Sequence, residues 1–480
     1  MSDILLQLPT SSPQTPPVPP MPSSDPEPDF AGESLAPLLL AVSPPQEQDV
    51  PMAEVYVPPV PQTGGETGVS SALIEDLIVK TLYAQGETIG RDLASELGLK
   101  FSLIEPIIEQ LKRQRLIETK GSLGFGVVSA VFGLSEAGRS RAHECLEHNL
   151  YVGAVPVPIS QYKTAVRAQR LKSGWLTEDA LQEAYRGINV SADVLAQIGP
   201  AVNSGKSFLL YGQPGNGKTY LAEALFNLNS SPIYVPYAIE YHGLIIKVFD
   251  PVHHQRLEEA ADMTKSISAD AQYDGRWVRC RRPFIVTGGE LTISMLDLGY
   301  NTTAKIYDAP LQLKANNGIY LIDDFGRQKV SPAEVLNRWI VPMDRRVDYL
   351  TFREGGKVEV PFETFLIFST NLQPEKLGDE AFLRRIQYKM FLANPTRTEY
   401  EEIFASFARS QGLEVTPDVV AGFIERHYVA TGKRFRRCQP RDVISHAMDL
   451  INFKQLPVEL TPELLNHAFA SCFVSTSMEE

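Results

Sequence analysis

Cysteine is scarce in this chain and unpaired. Cys145, Cys280, Cys438 and Cys472 are scattered over 480 residues with no CxxC spacing. That excludes a disulfide framework or a zinc ribbon and fits a reducing compartment, so a cytoplasmic location is expected. Long apolar runs are missing as well. A stretch such as Ala36–Val42 is far short of the roughly 20 residues needed to cross a bilayer. No basic segment precedes an apolar run, so no secretory signal is expected. Basic residues are absent from the start of the chain: no Lys or Arg precedes Lys80. Nine acids in residues 1–68 give that stretch −9 of the net −13, leaving −4 for the rest. The remainder is nearly balanced, and non-specific nucleic-acid binding is not indicated.

What is present is an ordinary globular composition, 43% apolar and 21% charged, which can bury a large core. At about 150 residues per domain the length suggests roughly three. Sixteen of the 35 prolines lie within the first 61 residues. Residues 1–68 therefore read as a disordered, proline-rich acidic tail, either a solubilising tether or a proline-motif ligand.

From Ser70 the texture changes. Leu73, Leu77, Ile78 and Leu82 recur at helical spacing. Residues 89–98 form a short amphipathic segment closed by Gly98. Ser102-Leu-Ile-Glu105 has the capping-box pattern and is expected to open a third helix. Residues 121–133 are rich in turns and β-formers, and a last helix starts near Leu134. Three helices, a ribbon and a closing helix resemble a winged helix-turn-helix domain over residues 70–150. Such domains often bind DNA through the start of the third helix. Here that start carries Glu105 and Glu109, and residues 70–150 hold 9 bases against 11 acids. A protein-docking domain is favoured, with DNA contact through Lys112, Arg113 and Arg115 as the alternative. Residues 151–200 read as a connector, extended over 155–159 and with helix starts at Thr177 and Ser191, and residues 395–480 as helical.

The chemistry is concentrated further on. The apolar run Ser207–Tyr211 leads into Gly212-Gln213-Pro214-Gly215-Asn216-Gly217-Lys218-Thr219 and then a helix from Tyr220. This matches G-x-x-x-x-G-K-[ST] in the strand–loop–helix setting the motif needs. Glycines let backbone N–H groups turn inward round an anion, Lys218 reaches the β- and γ-phosphates, and the Thr219 hydroxyl holds Mg²⁺. A second apolar run, Gly318–Ile322, ends in Asp323-Asp324, carboxylates at a strand's C-terminal end. Asp323 is the candidate Mg²⁺ partner and Asp324 the residue that orients the attacking water. A third, Phe365–Thr370, ends in Asn371, whose amide could bond the γ-phosphate or that water.

Order and spacing of these elements resemble the AAA+ ATPases over residues 175–475. The resemblance implies an α/β P-loop NTPase core with a parallel sheet over residues 201–394, then a helical lid over 395–480. It implies ATP and Mg²⁺ as ligands and a homo-oligomeric ring. Asn371 would be sensor 1. Arg385, with Arg384 beside it at the end of a helix over 379–385, would be the arginine finger acting on a neighbour's nucleotide. Arg441 would be sensor 2. Asp323-Asp324 stands where most of the family has Asp-Glu, which points to weaker water positioning and a slow enzyme.

A β-hairpin is expected over residues 348–362, joined by Glu354-Gly-Gly-Lys357. Its place resembles the insertion before sensor 1 in MoxR-like groups and favours a chaperone-like remodeller of protein partners. A DNA-directed helper, such as a helicase or transposase loader or an ATP-dependent regulator, is the alternative. A nucleotide-gated scaffold with little turnover is a third reading. Residues 274–282, with four bases and a Trp, are expected to be a solvated or interface loop, or else a site for an acidic partner or nucleic acid. Tyr241-His-Gly243 falls where threading enzymes place an aromatic pore loop.

Overall fold

The computed structural model describes residues 56–171, 174–228, 231–257, 272–378 and 380–472. Most of the expected tail lies outside them.

Residues 56–68 depart from the tail reading. They lie against the folded body, with Pro58, Pro61 and Thr67 buried. The Asp274 amide donates to the Pro58 carbonyl (3.1 Å), and Arg276 Nη1 donates to the Thr67 carbonyl (2.7 Å). Proline lacks the N–H that regular structure would need satisfied, so an extended Pro-rich strap can lie on a surface and accept from it.

Beyond the strap, α1 (Ser71–Gln85) starts at Ser70, whose hydroxyl accepts from the Leu73 amide. β1 (Thr88–Ile89) leads into α2 (Gly90–Leu97), ended by Gly98 at φ 67°. Then follow α3 (Phe101–Arg113), β2 (Ile117–Ser122), β3 (Ala130–Leu134) and α4 (Glu136–His148). The strands form an antiparallel sheet in the order β1-β3-β2. Leu77, Leu93, Leu97, Ile104, Ile108 and Phe132 share one core. The expected cap at Ser102 is not used: α3 begins at Phe101, and its N-cap, Lys100, makes no side-chain cap bond. Phe101 lies so close to Gly90 that a Cβ there would come within 2.6 Å of its ring. Packing on α2 sets the start of α3.

The described residues of 151–200 are folded, and the helix starts expected at Thr177 and Ser191 are the N-caps of two of their helices. β4 (Val157–Pro158), α5 (Ile159–Ala168), α6 (Glu178–Ala184) and α7 (Ala192–Ser204) are folded elements. Tyr162 and Val166 sit in one core, Leu181, Ala201 and Val202 in another. These helices carry apolar stripes that must be buried.

The central part runs β5 (Ser207–Tyr211), α8 (Lys218–Ala224), β6 (Ile233–Pro236), β7 (Ala238–Tyr241), β8 (Leu244–Lys247), β9 (Trp277–Cys280) and β10 (Phe284–Thr287). It continues through β11 (Gly299–Asn301), β12 (Ile306–Asp308), α9 (Leu311–Lys314), β13 (Ile319–Ile322), α10 (Pro332–Arg345), β14 (Val347–Thr351) and β15 (Lys357–Pro361). β16 (Phe365–Thr370), α11 (Glu380–Leu383) and β17 (Tyr388–Phe391) complete it. Five strands pair in parallel in the order β10-β13-β16-β5-β17. The apolar runs of the three inner strands, β13, β16 and β5, are buried, as strands covered on both faces require. β5 comes first in sequence yet lies between β16 and β17, so the strand order reverses there. Open α/β sheets bind ligands at such a switch point, beyond the strands' C-terminal ends.

A second sheet was not foreseen. β7 and β8 pair with β12 and β11 from a different insertion and with β4 from the supposed connector, in the order β11-β12-β8-β7-β4. The turn at Tyr241-His-Gly243 is a tight hairpin with His242 at φ 50° and Gly243 at φ 83°. The Tyr241 ring stacks on Phe352 (5.7 Å), so it is committed to packing and does not serve as a free aromatic loop. β14 and β15 form the expected antiparallel hairpin.

The basic stretch 274–282 is not a solvated loop. Arg276 is 1% exposed and Trp277 3%. Arg276 pairs with Asp274 through Nη2–Oδ2 (2.8 Å). Arg281 lies over the Phe226 ring at 4.0 Å. Arg276 serves the interior, and Arg281 is half-buried against that ring.

The chain ends in α12 (Arg397–Ser410), α13 (Pro417–Ile424), α14 (Gln439–Lys454) and α15 (Pro462–Cys472), packed round Tyr400, Phe404, Tyr428 and Ile444. A full capping box, Thr396 with Glu399, opens α12. No helix among the described residues is long and apolar enough to cross a membrane.

Candidate functional site

The loop after β5 has an unusual backbone. Gly212, Gly215 and Gly217 lie at φ 153°, 80° and 82°, conformations costly for any residue with a Cβ. At Gly212 an added Cβ would also collide with the Leu392 carbonyl oxygen. Gly217 is the N-cap of α8, whose first residue is Lys218. The buried Asn216 side chain pins the loop, its Nδ2 donating to Asn394 Oδ1 (2.8 Å) and the Leu392 carbonyl (3.3 Å).

Lys218 is 6% exposed. Its ammonium donates to the Gly212 and Gln213 carbonyls (3.2 and 3.1 Å) and to Asn371 Oδ1 (2.6 Å). Burial pulls its pKa down, and the carboxylates of Asp323 and Asp324 act in the opposite direction. The Thr219 hydroxyl donates to Asp323 Oδ2 (2.8 Å). Asn371 Nδ2 donates to Asp324 Oδ1 (2.7 Å). The ends of three adjacent strands, β5, β13 and β16, thus bring five predicted residues into two short hydrogen-bonded lines. Asp324 itself sits at φ 48°, a left-handed conformation that a non-glycine residue holds only when its surroundings enforce it. Those surroundings are the Phe325 amide on the Ser369 carbonyl (2.7 Å) and the Thr370 hydroxyl on the Phe325 carbonyl (2.6 Å).

Other predicted residues fall elsewhere. Tyr220 is 54% exposed on α8. Pro214 lies on the exposed side of the loop. Arg385 is engaged within its own chain: its Nε donates to Asp344 Oδ2 on α10 (2.9 Å). Arg384 is exposed. The helix expected over 379–385 is described only as α11, one turn long. Arg441, on the first turn of α14, is 65% exposed at its side chain and bonds Asp442 (3.2 Å).

Four neighbours of the site escaped the sequence reading. Gln328 braces the acidic loop, accepting from the Gly326 amide (2.7 Å) and donating to the Asp323 carbonyl (2.9 Å). Cys438 donates its amide to the Gly215 carbonyl (2.9 Å), joining the start of α14 to the phosphate-type loop. Arg436 flanks Gly215, its Cδ within 3.5 Å of where a Cβ would stand. The basic run Lys433-Arg-Phe-Arg-Arg437 was a visible signal for it. Glu223, on the exposed side of α8, has its pKa pushed up by desolvation and by neighbouring Asp323.

The arrangement is chemically an anion cradle with a lysine, beside a hydroxyl–carboxylate pair that can hold a hard cation.

Residues 396–471 match the model of a family described as a domain of unknown function, DUF8689. No curated protein matches the chain. Among solved structures, NtrX from Brucella abortus is 14% identical with a TM-score of 0.36, over 71% of this chain and 64% of that one. Two point mutants of Thermotoga maritima RuvB are 13% and 14% identical with a TM-score of 0.32, over 63% of this chain and 73% of theirs. This chain thus spans under two thirds of the NtrX chain. At such identities and scores the activity of this chain is not inferred from these neighbours.

Proposed function

We propose that this chain is a Mg²⁺-dependent ATPase of the AAA+ kind, an α/β P-loop core with a helical lid, working as a homo-oligomeric ring that remodels protein partners. The observation that carries the reading is the pair of lines Lys218–Asn371–Asp324 and Thr219–Asp323 at the C-terminal ends of adjacent parallel strands. The residues present fit the ligands. Backbone N–H groups of the loop and the Lys218 ammonium suit a triphosphate. The Thr219 hydroxyl and the Asp323 carboxylate are hard oxygen donors, and Mg²⁺ is typically held by one or two carboxylates plus phosphates. When bound, Mg²⁺ neutralises charge on the β- and γ-phosphates.

Within the chain, Lys218 leaves its carbonyl partners to meet phosphate oxygens. Asp324 accepts a hydrogen bond from the attacking water, and Asn371 holds that carboxylate in register. Water attacks the γ-phosphorus, the bond to the β–γ bridging oxygen breaks, and ADP and phosphate leave. Asp324 is one methylene shorter than Glu, which favours slow turnover.

The N-terminal three-helix unit is read as a winged helix that docks protein. Its β2–β3 tip exposes Leu123 (74%) and Phe125 (102%), apolar groups suited to a protein surface. Of the bases of 274–282 that would have favoured DNA, Arg276 is buried, and Arg281 and Arg282 are half-buried and bonded to carbonyls of the chain. The test is phosphate release by wild type and by Asp324→Asn. Equal rates would remove the proposed role of Asp324, and no release by the assembled wild type would leave a nucleotide-gated scaffold.

A further inference from the structure

At the opposite edge of the parallel sheet, away from the nucleotide loop, lies a cavity of about 310 Å³. It opens where β10, β13 and β16 begin, against Phe284, Ile319 and Phe365. Its described lining includes Arg170, Lys206, Arg281, Arg282 and Arg346 against one carboxylate, Glu363.

A single acid, Glu363, serves Arg170 and Arg346 together, and among the described residues no ion pair to an acid is seen for Arg281 or Arg282. Arg282 donates to the carbonyls of Asn317 (2.8 Å) and Gln169 (3.0 Å) and to Ser231 Oγ (3.1 Å). Arg281 donates to the Phe226 carbonyl (2.7 Å), and Arg346 to those of Gly205 (2.6 Å) and Thr364 (3.3 Å). Glu363 is approached by Arg170 at 4.0 Å. Carbonyl dipoles hold these guanidiniums in place, but they do not cancel the charge, and partly buried uncompensated charge is costly.

Among the described residues, Trp175 and Arg282 also line this cavity, and their Nε1 and Nε atoms are buried without a hydrogen-bond partner. These two donors have no surface open to the cavity, so a ligand would meet Arg282 through its Nη atoms. Burial also lowers the Arg282 pKa, to about 10, which leaves it charged at neutral pH.

We infer that this cavity binds a compact polyanion of the di- or triphosphate class. Such a group supplies several acceptors and negative charge together, and guanidinium forks match phosphate oxygens. The site lies across the sheet from Lys218, so the inference stands whether or not the ATPase reading holds.

The experiment is calorimetric titration of inorganic pyrophosphate into full-length Lys218→Ala protein, which disables the loop site. One saturable site per chain is expected. Binding should weaken by about tenfold or more when charge-assisted bonds are removed in Arg282→Gln, with thermal unfolding checking the fold. The double variant Arg170→Ala/Lys206→Ala changes exposed residues and should weaken binding similarly without unfolding risk. Arg441→Ala should leave it unchanged. Absence of saturable binding at millimolar pyrophosphate, or binding indifferent to all three pocket changes, would overturn the assignment.

Discussion

Asn371 Nδ2 donates to Asp324 Oδ1 across 2.7 Å, and the same amide accepts from Lys218 through Oδ1. One side chain therefore ties the Asp324 carboxylate to the lysine of the glycine-rich loop. The amide is oriented on both sides, so it can position Asp324 before any nucleotide arrives.

From this follows a graded series. Lys218→Ala should abolish ATP binding in calorimetry. Asp324→Asn should keep binding and lose turnover. Asn371→Ala should keep binding while lowering turnover by about 10²-fold, the scale of removing one oriented polar group from an active site. An Asn371→Ala enzyme as fast as wild type would mean that the amide only props the unliganded loop.

Hydrolysis should need a neighbouring subunit. Arg385 is held by Asp344 in its own chain, whereas Arg384 is exposed, which moves the finger role towards Arg384. A trans arginine contributes roughly 10³–10⁵ in rate in related phosphoryl-transfer enzymes. Specific activity should rise steeply with concentration. Mixing Arg384→Ala with Lys218→Ala subunits should restore part of the activity each lacks, more than a mixture with Arg385→Ala does. Concentration-independent turnover by a monomer, seen by light scattering, would exclude both arginines as fingers.

The Asp274–Arg276 pair is a stability determinant. Both side chains are at most 2% exposed. Removing one partner of such a pair typically costs about 3–5 kcal/mol. Arg276→Ala should also release the strap at Thr67. Denaturant unfolding should show the loss, and limited proteolysis should cut first within residues 56–68.

A pH effect should arise at His254, which is 2% exposed. Its Nδ1 accepts from the Asp250 amide (3.0 Å) and its Nε2–H donates to the Lys314 carbonyl (2.9 Å). A second proton would face a donor. Burial pushes its pKa down to about 4. The neutral form is the folded form, so this stabilisation is complete above the unfolded value near 6.5 and is lost as pH falls from there towards 4. The loss amounts to about 3 kcal/mol at most. In urea titrations across that window His254→Gln should show a flatter profile than wild type; identical slopes would assign the acid sensitivity elsewhere.

DNA binding should be weak and salt-sensitive, because α3 carries Glu105 and Glu109 where such a helix would meet phosphates. Fluorescence anisotropy of the full chain at moderate salt checks this. Submicromolar, sequence-dependent binding would favour the DNA-directed alternative.

Local chemistry determined much of this protein. G-x-x-x-x-G-K-T after an apolar strand leaves the backbone little choice but an anion loop. Apolar runs ending in Asp323-Asp324 and Asn371 must be buried strands with polar ends, because their alternatives leave apolar side chains in water. The hairpin at 348–362 and the Gly98 stop are equally local. Other features depended on partners far away in sequence. The bases of 274–282 read as solvated because Arg276's partners include Thr67, and Arg281 and Arg282 meet Phe226, Asn317 and Gln169. The second sheet joins β4, β7–β8 and β11–β12, strands of two to four residues whose pairing no periodicity reveals. Arg385 looked available until α10 brought Asp344 beside it, and Arg436 came to Gly215 only when α14 docked. Burial and pairing of charge are properties of the assembled molecule, since a guanidinium's energy is set by whatever acids, carbonyls and water surround it. The sequence determined which chemistry was possible, and the tertiary structure decided which residues were left to perform it.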